Sequence, residues 1–244
     1  MKAFSTYNFK NGKIAELDRQ FPSYLSAWSE GISLDANDTH YLYCMATYTP
    51  EHSFAYLERI DQQGTVHSFA LTEGMYACVP GSAYVHGGKG IVVSRENYHG
   101  FFSLGGPAEK EGRLKYIDGC TDSLLIPPIK LGDPCLNLLY FPPDIDQTKH
   151  THPSDRIGLV MSGEGRCHHW DDDIEHIIRL TPDLIFCIHT DGPHKFSTPY
   201  GEEMRVLAYH PDSDFGPTDQ FHPMLNRTIV DGVSANSLPA IQTK

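Results

Sequence analysis

Two imidazoles set two positions apart begin a metal site. In Lys149-His150-Thr151-His152-Pro153 that spacing on a strand projects both rings from the same face, and convergent neutral imidazoles bind divalent transition ions. The apolar segment that follows, 157–161, closes at Gly163 and carries the chain across a sheet beside those rings. A third donor can come from His194 after the next hairpin. Nine of the 14 histidines fall between His150 and His222, under a third of the chain. Within that cluster His189, at the end of the strand predicted for 184–188, is the best candidate for a fourth ligand, and His210 and Asp155 are further candidates to complete the shell. His168, His169 and His176 flank Trp170-Asp171-Asp172-Asp173, which reads as an exposed hairpin tip.

The elements that must position these residues are strands. Across 244 residues, 21 glycines and 17 prolines break the chain every eight to twelve positions from Thr39 onward, the rhythm of an all-β protein. Short β-branched and aromatic segments lie between the breaks, at 41–45, 90–93, 136–141, 157–161, 177–180, 184–188 and 204–209. Helix is expected only at 24–30 and 224–227, and 235–244 is polar enough to be disordered. Residues 71–86 and 180–194 share one phrase of strand, turn, strand and histidine, which points to an internal duplication of the half-chain.

Composition narrows the function. With 19 Lys and Arg against 31 Asp and Glu, the net charge is −12, and a chain without clustered positive charge is a poor ligand for nucleic acid or anionic membrane. No apolar run approaches a membrane span and no leader pattern opens the sequence, so a soluble cytoplasmic protein is expected. The six cysteines are widely spaced with no C-x-x-C pair, and read as buried free thiols rather than disulfides. No phosphate loop or nucleophile elbow is present.

The pattern around His150 resembles the cupin superfamily. Its first motif runs Gly, five residues, His-x-His, three or four residues, Glu, six residues, Gly; its second runs Gly, five residues, Pro-x-Gly, two residues, His, three residues, Asn. His150 and His152 match the paired histidines, Gly163 the closing glycine and His194 the second-motif histidine. The departures are equally specific. Asp144 stands at the first glycine, Arg156 at the glutamate, and Asp183, His189, Asp191 and Thr198 replace Gly, Pro, Gly and Asn of the second motif. Asp155 is one position early and would face away unless a bulge intervenes.

The resemblance implies an all-β bicupin of two antiparallel β-barrels of the double-stranded β-helix or jelly-roll type. Its expected parts are an N-terminal arm (1–38), a degenerate cupin (39–110), a metal-binding cupin (111–212) and a C-terminal arm or tail (213–244). It further implies one divalent ion per chain, Fe(II), Ni(II) or Zn(II), on His150, His152 and His194, with His189 as the possible fourth ligand. Arg156, in the glutamate's register, would face the cavity and hold a substrate anion. The expected activity is that of a mononuclear metal enzyme, of dioxygenase, isomerase or lyase type, on a small anionic or enolisable molecule. The alternative is a non-catalytic cupin that binds or senses a sugar or organic acid. A homodimer is the expected assembly, with neither nucleic acid nor membrane as partner.

Overall fold

Side-chain alternation sorts this chain into layers. In the strand Met204–His210, Leu207 and Tyr209 belong to one buried cluster while Met204 and Val206 belong to another, as the two faces of a pleated strand require. Strands buried on both faces recur throughout. The computed structural model describes residues 2–17, 20–46, 54–61 and 63–243.

Four antiparallel sheets build the body of the fold, and a fifth, two-stranded one pairs Ile229–Val230 with Val233–Ser234. One large sheet orders Phe4–Tyr7, Ile185–Ile188, Arg156–Gly163, Met204–His210, Cys135–Phe141, Thr121–Ile126 and Leu114–Lys115; a three-stranded sheet of Ile174–Leu180, Gly165–Asp171 and His194–Ser197 covers it. The second large sheet orders Ser103–Gly105, Tyr76–Pro80, Thr39–Ala46, Lys89–Arg95, Ser23–Trp28 and Gly12–Leu17, covered by Gly31–Leu34, Ala83–His86, Ala55–Ile60 and Val66–Leu71. Each pair of sheets encloses its own apolar core, one around Phe141, Val160, Phe186 and Phe196, the other around Trp28, Leu42, Leu57 and Val92. A third cluster, including Leu25, Tyr41, Val93, Leu138, Leu159 and Tyr209, lies between the two large sheets and joins the sandwiches back to back.

The two sandwiches repeat one strand order, each with an added edge strand, and the C-terminal sheet takes its own from outside its run. Phe4–Tyr7 pairs with Ile185–Ile188 in the C-terminal sandwich, and Ser103–Gly105 pairs with Tyr76–Pro80 in the N-terminal one. Residues 1–38, expected as an arm, therefore supply strands to both. Among the described residues no sheet closes on itself; the expected barrels are open sandwiches, because the paired sheets meet face to face across apolar cores rather than edge to edge.

The helix expected at 24–30 is the strand Ser23–Trp28, hydrogen-bonded on both sides. Leu25 and Ala27 face the middle cluster and Trp28 the outer one, so the segment reads as continuously apolar, and a two-faced buried strand is then indistinguishable from a buried helix by period alone. The helix expected at 224–227 is present as Pro223–Arg227. The tail contains 3₁₀ turns at Ala235–Ser237 and Pro239–Ile241, pinned by Gln242 Nε2 donating to the Ala235 carbonyl at 3.0 Å. No helix among the described residues is long and apolar enough to cross a membrane.

Gly163 ends the strand that leads from the histidines. Its φ is +74°, and a Cβ there would lie 1.7 Å from the Glu203 carbonyl oxygen. Gly163→Ala is expected to destabilise the fold by more than the ~1–2 kcal/mol of a left-handed non-glycine residue, since backbone rather than a flexible side chain must move. Urea unfolding of the variant checks this; a loss below 1 kcal/mol would contradict the assigned turn.

Candidate metal centre

His194 and His150 are held face to face by their own backbones. Each donates its amide to the other's carbonyl, at 2.9 and 3.0 Å, as an isolated antiparallel bridge. His194 opens the strand His194–Ser197, and the next turn of chain brings His152 alongside. The ring centroids lie 4.4 Å (His150 to His194), 5.1 Å (His152 to His194) and 5.2 Å (His150 to His152) apart. One nitrogen from each ring falls within 4.8 Å of the others.

Backbone carbonyls set the tautomers. His194 Nδ1 lies 2.9 Å from the Gly192 carbonyl and His150 Nδ1 lies 2.8 Å from that of Thr148. A carbonyl only accepts, so both Nδ1 atoms carry the proton and both Nε2 atoms present lone pairs, the outer-shell arrangement of metal-binding histidines. His194 Nε2 is buried without a hydrogen-bond partner, a state costly enough to call for an explanation. Three imidazoles around one orphaned lone pair fit a divalent transition ion, and among the described residues no carboxylate joins the group.

His150 and His152 open on a small, partly open cavity of about 70 Å³, room for only a few water-sized groups. Arg156 and His210 line it. Arg156 and Gly158, on one face of their strand, line the cavity, while Leu159 belongs to the cluster on the other face; Ile157 belongs to that cluster and also reaches the lining. The ion-pair partner of Arg156 is Asp212, and from Asp155 it takes the backbone carbonyl, to which Nη1 donates at 3.3 Å. Nη1 lies 3.5 Å from Asp212 Oδ1, and donates to the Ser154 carbonyl at 3.1 Å and to the Ser154 hydroxyl, which in turn donates to Asp212. Asp183 pairs with Lys89, at 2.6 Å. Arg156 Nε is buried and unpartnered.

Asp155 and His189 face the opposite side of the sheet. Arg156 is paired with Ile188 in register, and their neighbours Asp155 and His189 project the other way, as alternation demands. His189 thus does not join the trio; its Nε2 lies 2.7 Å from Ser5 Oγ. His210 lines the cavity without joining the three converging nitrogens.

Two cavity residues lie outside the sequence expectations. Asp122 and Asn137 sit on adjacent strands; Asn137 Nδ2 donates to Asp122 Oδ2 at 2.7 Å, while Asp122 Oδ1 and Asn137 Oδ1 are buried without partners. Burial raises the Asp122 carboxyl above its ordinary range, against the lowering effect of Asn137. The only sequence signal was an acid in an apolar strand, and which face it takes depends on a register shift between Leu124 and Ile126.

His152 and His194 resist protonation. Burial, reinforced by the charge of Arg156, lowers His152 to about 3, and burial lowers His194 to about 4. Burial likewise pushes His210 well below its ordinary value, with Arg156 next in effect. As pH falls below 6.5 the unfolded chain takes up protons that the folded histidines refuse. Stability of the metal-free protein is therefore full above pH 6.5 and lost from there down toward pH 4, at up to about 1.4 kcal/mol per pH unit for each of the two. Urea midpoints at pH 7 and pH 5 measure the slope, and His152→Ala is expected to flatten it; an unchanged slope would show that His152 is not buried neutral.

No model of a known protein family matches the sequence, and no curated protein does. Solved structures do. Oxalate decarboxylase of Bacillus subtilis, described for its Mn(II) centres, superposes with a TM-score of 0.55 over 90% of this chain and 80% of that one, at 9% identity. A tryptophan-to-phenylalanine variant of the same enzyme gives 0.54 over 93% and 81%, at 10% identity. At such identity the likeness is one of architecture, and this chain shares the β-sandwich fold of that enzyme.

Proposed function

We propose that this chain is a bicupin in which the C-terminal sandwich holds one divalent first-row ion on His150, His152 and His194 and acts on a small anion anchored by Arg156. The observation that carries the reading is the buried, unpartnered Nε2 of His194 beside two further imidazoles. Matching the two sandwiches strand for strand explains why one half carries the site. The pair His150 and His194 corresponds to Leu34 and Ala83, both in the apolar core, so the N-terminal sandwich is filled where the C-terminal one is hollow.

With three protein ligands the ion would keep positions open to substrate and polarise a bound oxygen. Three imidazoles without a carboxylate favour Fe(II), Ni(II) or Zn(II) over Mn(II), which stands lowest in affinity for nitrogen sites. Arg156 Nε supplies an unused donor for a substrate carboxylate. Burial raises the Asp122 carboxyl in the same cavity above its ordinary range. A carboxyl shifted this way serves the proton transfers of isomerase or lyase chemistry more directly than oxygenation, and the small cavity favours a substrate of a few heavy atoms.

Oxalate is a suitable probe anion. The zinc-loaded protein is expected to bind oxalate by calorimetry with one site per chain, and the metal-free protein or His152→Ala to bind it at least tenfold more weakly. Equal affinity in all three would refute a metal-centred anion site.

A further inference from the structure

A second set of converging donors lies on the other face of the same strands. Arg156 opposite Ile188 fixes the register of Arg156–Gly163 against Ile185–Ile188, so Asp155 falls beside His189, and Cys187, two positions earlier, shares their face. One donor atom from each of Asp155, Cys187 and His189 lies within 4.8 Å of the other two. From Nδ1, the thiol is at 3.8 Å and the carboxylate oxygen at 3.9 Å.

The thiol contact is at the outer reach of a sulfur hydrogen bond, and the carboxylate separation is beyond one. They are close to the roughly 3.3–3.6 Å between neighbouring donors around a tetrahedral ion with Zn–N of about 2.0–2.1 Å and Zn–S of about 2.3 Å, so only small inward shifts would seat one. Ser5 Oγ, 2.7 Å from His189 Nε2, can accept the Nε2 proton and leave the Nδ1 lone pair aimed at Cys187 and Asp155. Asp155 Oδ1 is fixed by the Thr190 amide and hydroxyl at 2.8 and 3.0 Å, and Oδ2 is the oxygen that faces His189 Nδ1. Cys187 is fully buried and in no disulfide. Asp155, His189 and Thr190 line a cleft of about 660 Å³ that also carries Glu16 and Glu96, an acidic approach that draws cations.

We propose that Asp155, Cys187 and His189 form a second metal centre, separate from the histidine trio, which takes Zn(II) or a similarly soft divalent ion and turns its fourth coordination position toward the cleft. A thiolate, an imidazole and a carboxylate make a donor set for zinc rather than for calcium or magnesium. Three protein ligands leave an exchangeable position. The site does not depend on the function proposed above, because it shares no donor with the trio.

Cobalt(II) separates the two centres, since only a thiolate ligand gives a sulfur-to-cobalt charge-transfer band in the near ultraviolet. Reduced, metal-stripped protein titrated with Co(II) without oxygen is expected to develop that band to one equivalent per chain. His152→Ala should retain it and Cys187→Ser should abolish it. Should Cys187→Ser fail to fold, Ser5→Ala and Asp155→Asn carry the test: each is expected to weaken Co(II) binding, read from the band, by about 10–100-fold or more. A saturated wild-type protein without the band, a band that survives Cys187→Ser or vanishes in His152→Ala, or unchanged affinity in both Ser5→Ala and Asp155→Asn, would each overturn the assignment.

Discussion

His152→Ala is expected to lose one equivalent of metal per chain while the protein remains folded. His152 sits on an irregular stretch between the bridge at His150 and the start of Arg156–Gly163, and its ring meets the other two histidines rather than any of the three apolar clusters. Removing one of three ligands should cost more than the 10–100-fold typical of an outer-shell partner. Folding should be spared and even favoured at low pH, because a buried ring that stays neutral down to about 3 is itself a liability below pH 6.5. Elemental analysis after zinc loading and gel filtration, alongside urea unfolding, measures both outcomes. Undiminished zinc content would remove His152 from the site, and a variant unable to fold would make the trio part of the core.

What could be read in the sequence follows the range of the interactions involved. His150 and His152 belong to one short segment, and strand alternation, a local rule, placed Arg156 toward the cavity and Asp155 away from it. The same rule carried His189 to the far side once Arg156 was seen to face Ile188, but that pairing is made between strands distant in sequence and cannot be read from either alone. Asp212 as the partner of Arg156, and Asp122 with Asn137 in the cavity, are likewise products of long-range register. Phe4–Tyr7 was hidden for another reason: a short apolar segment at one end of the chain contains nothing that names the sheet whose edge it will cover. The open sandwiches differ from the expected barrels because periodicity reports which face of a strand is buried, not whether the sheet's edges meet.

Arg156→Gln is expected to weaken oxalate binding by about 10–150-fold, the equivalent of a charge-assisted hydrogen bond worth about 1.5–3 kcal/mol, while leaving metal affinity unchanged or tighter. The guanidinium lies among groups that lose protons because of it: its charge helps to lower His152, His194 and His210. A divalent ion on the trio adds positive charge to the same small space, and Asp212 offsets it only from 3.5 Å on the outer side of Arg156. An anion between ion and guanidinium relieves that repulsion and satisfies the idle Nε. Glutamine keeps a donor for the Ser154 carbonyl and hydroxyl but no charge, so the substitution tests electrostatics more than packing. Arg156→Glu would place a carboxylate beside Asp212 and confound like-charge repulsion with ligand gain, which makes the neutral variant the cleaner one. Paired zinc and oxalate titrations of wild type and Arg156→Gln decide the matter: if oxalate binds equally well to both, Arg156 serves only to hold Asp212 and Ser154 in place, and the anion's charge must be met by the ion alone.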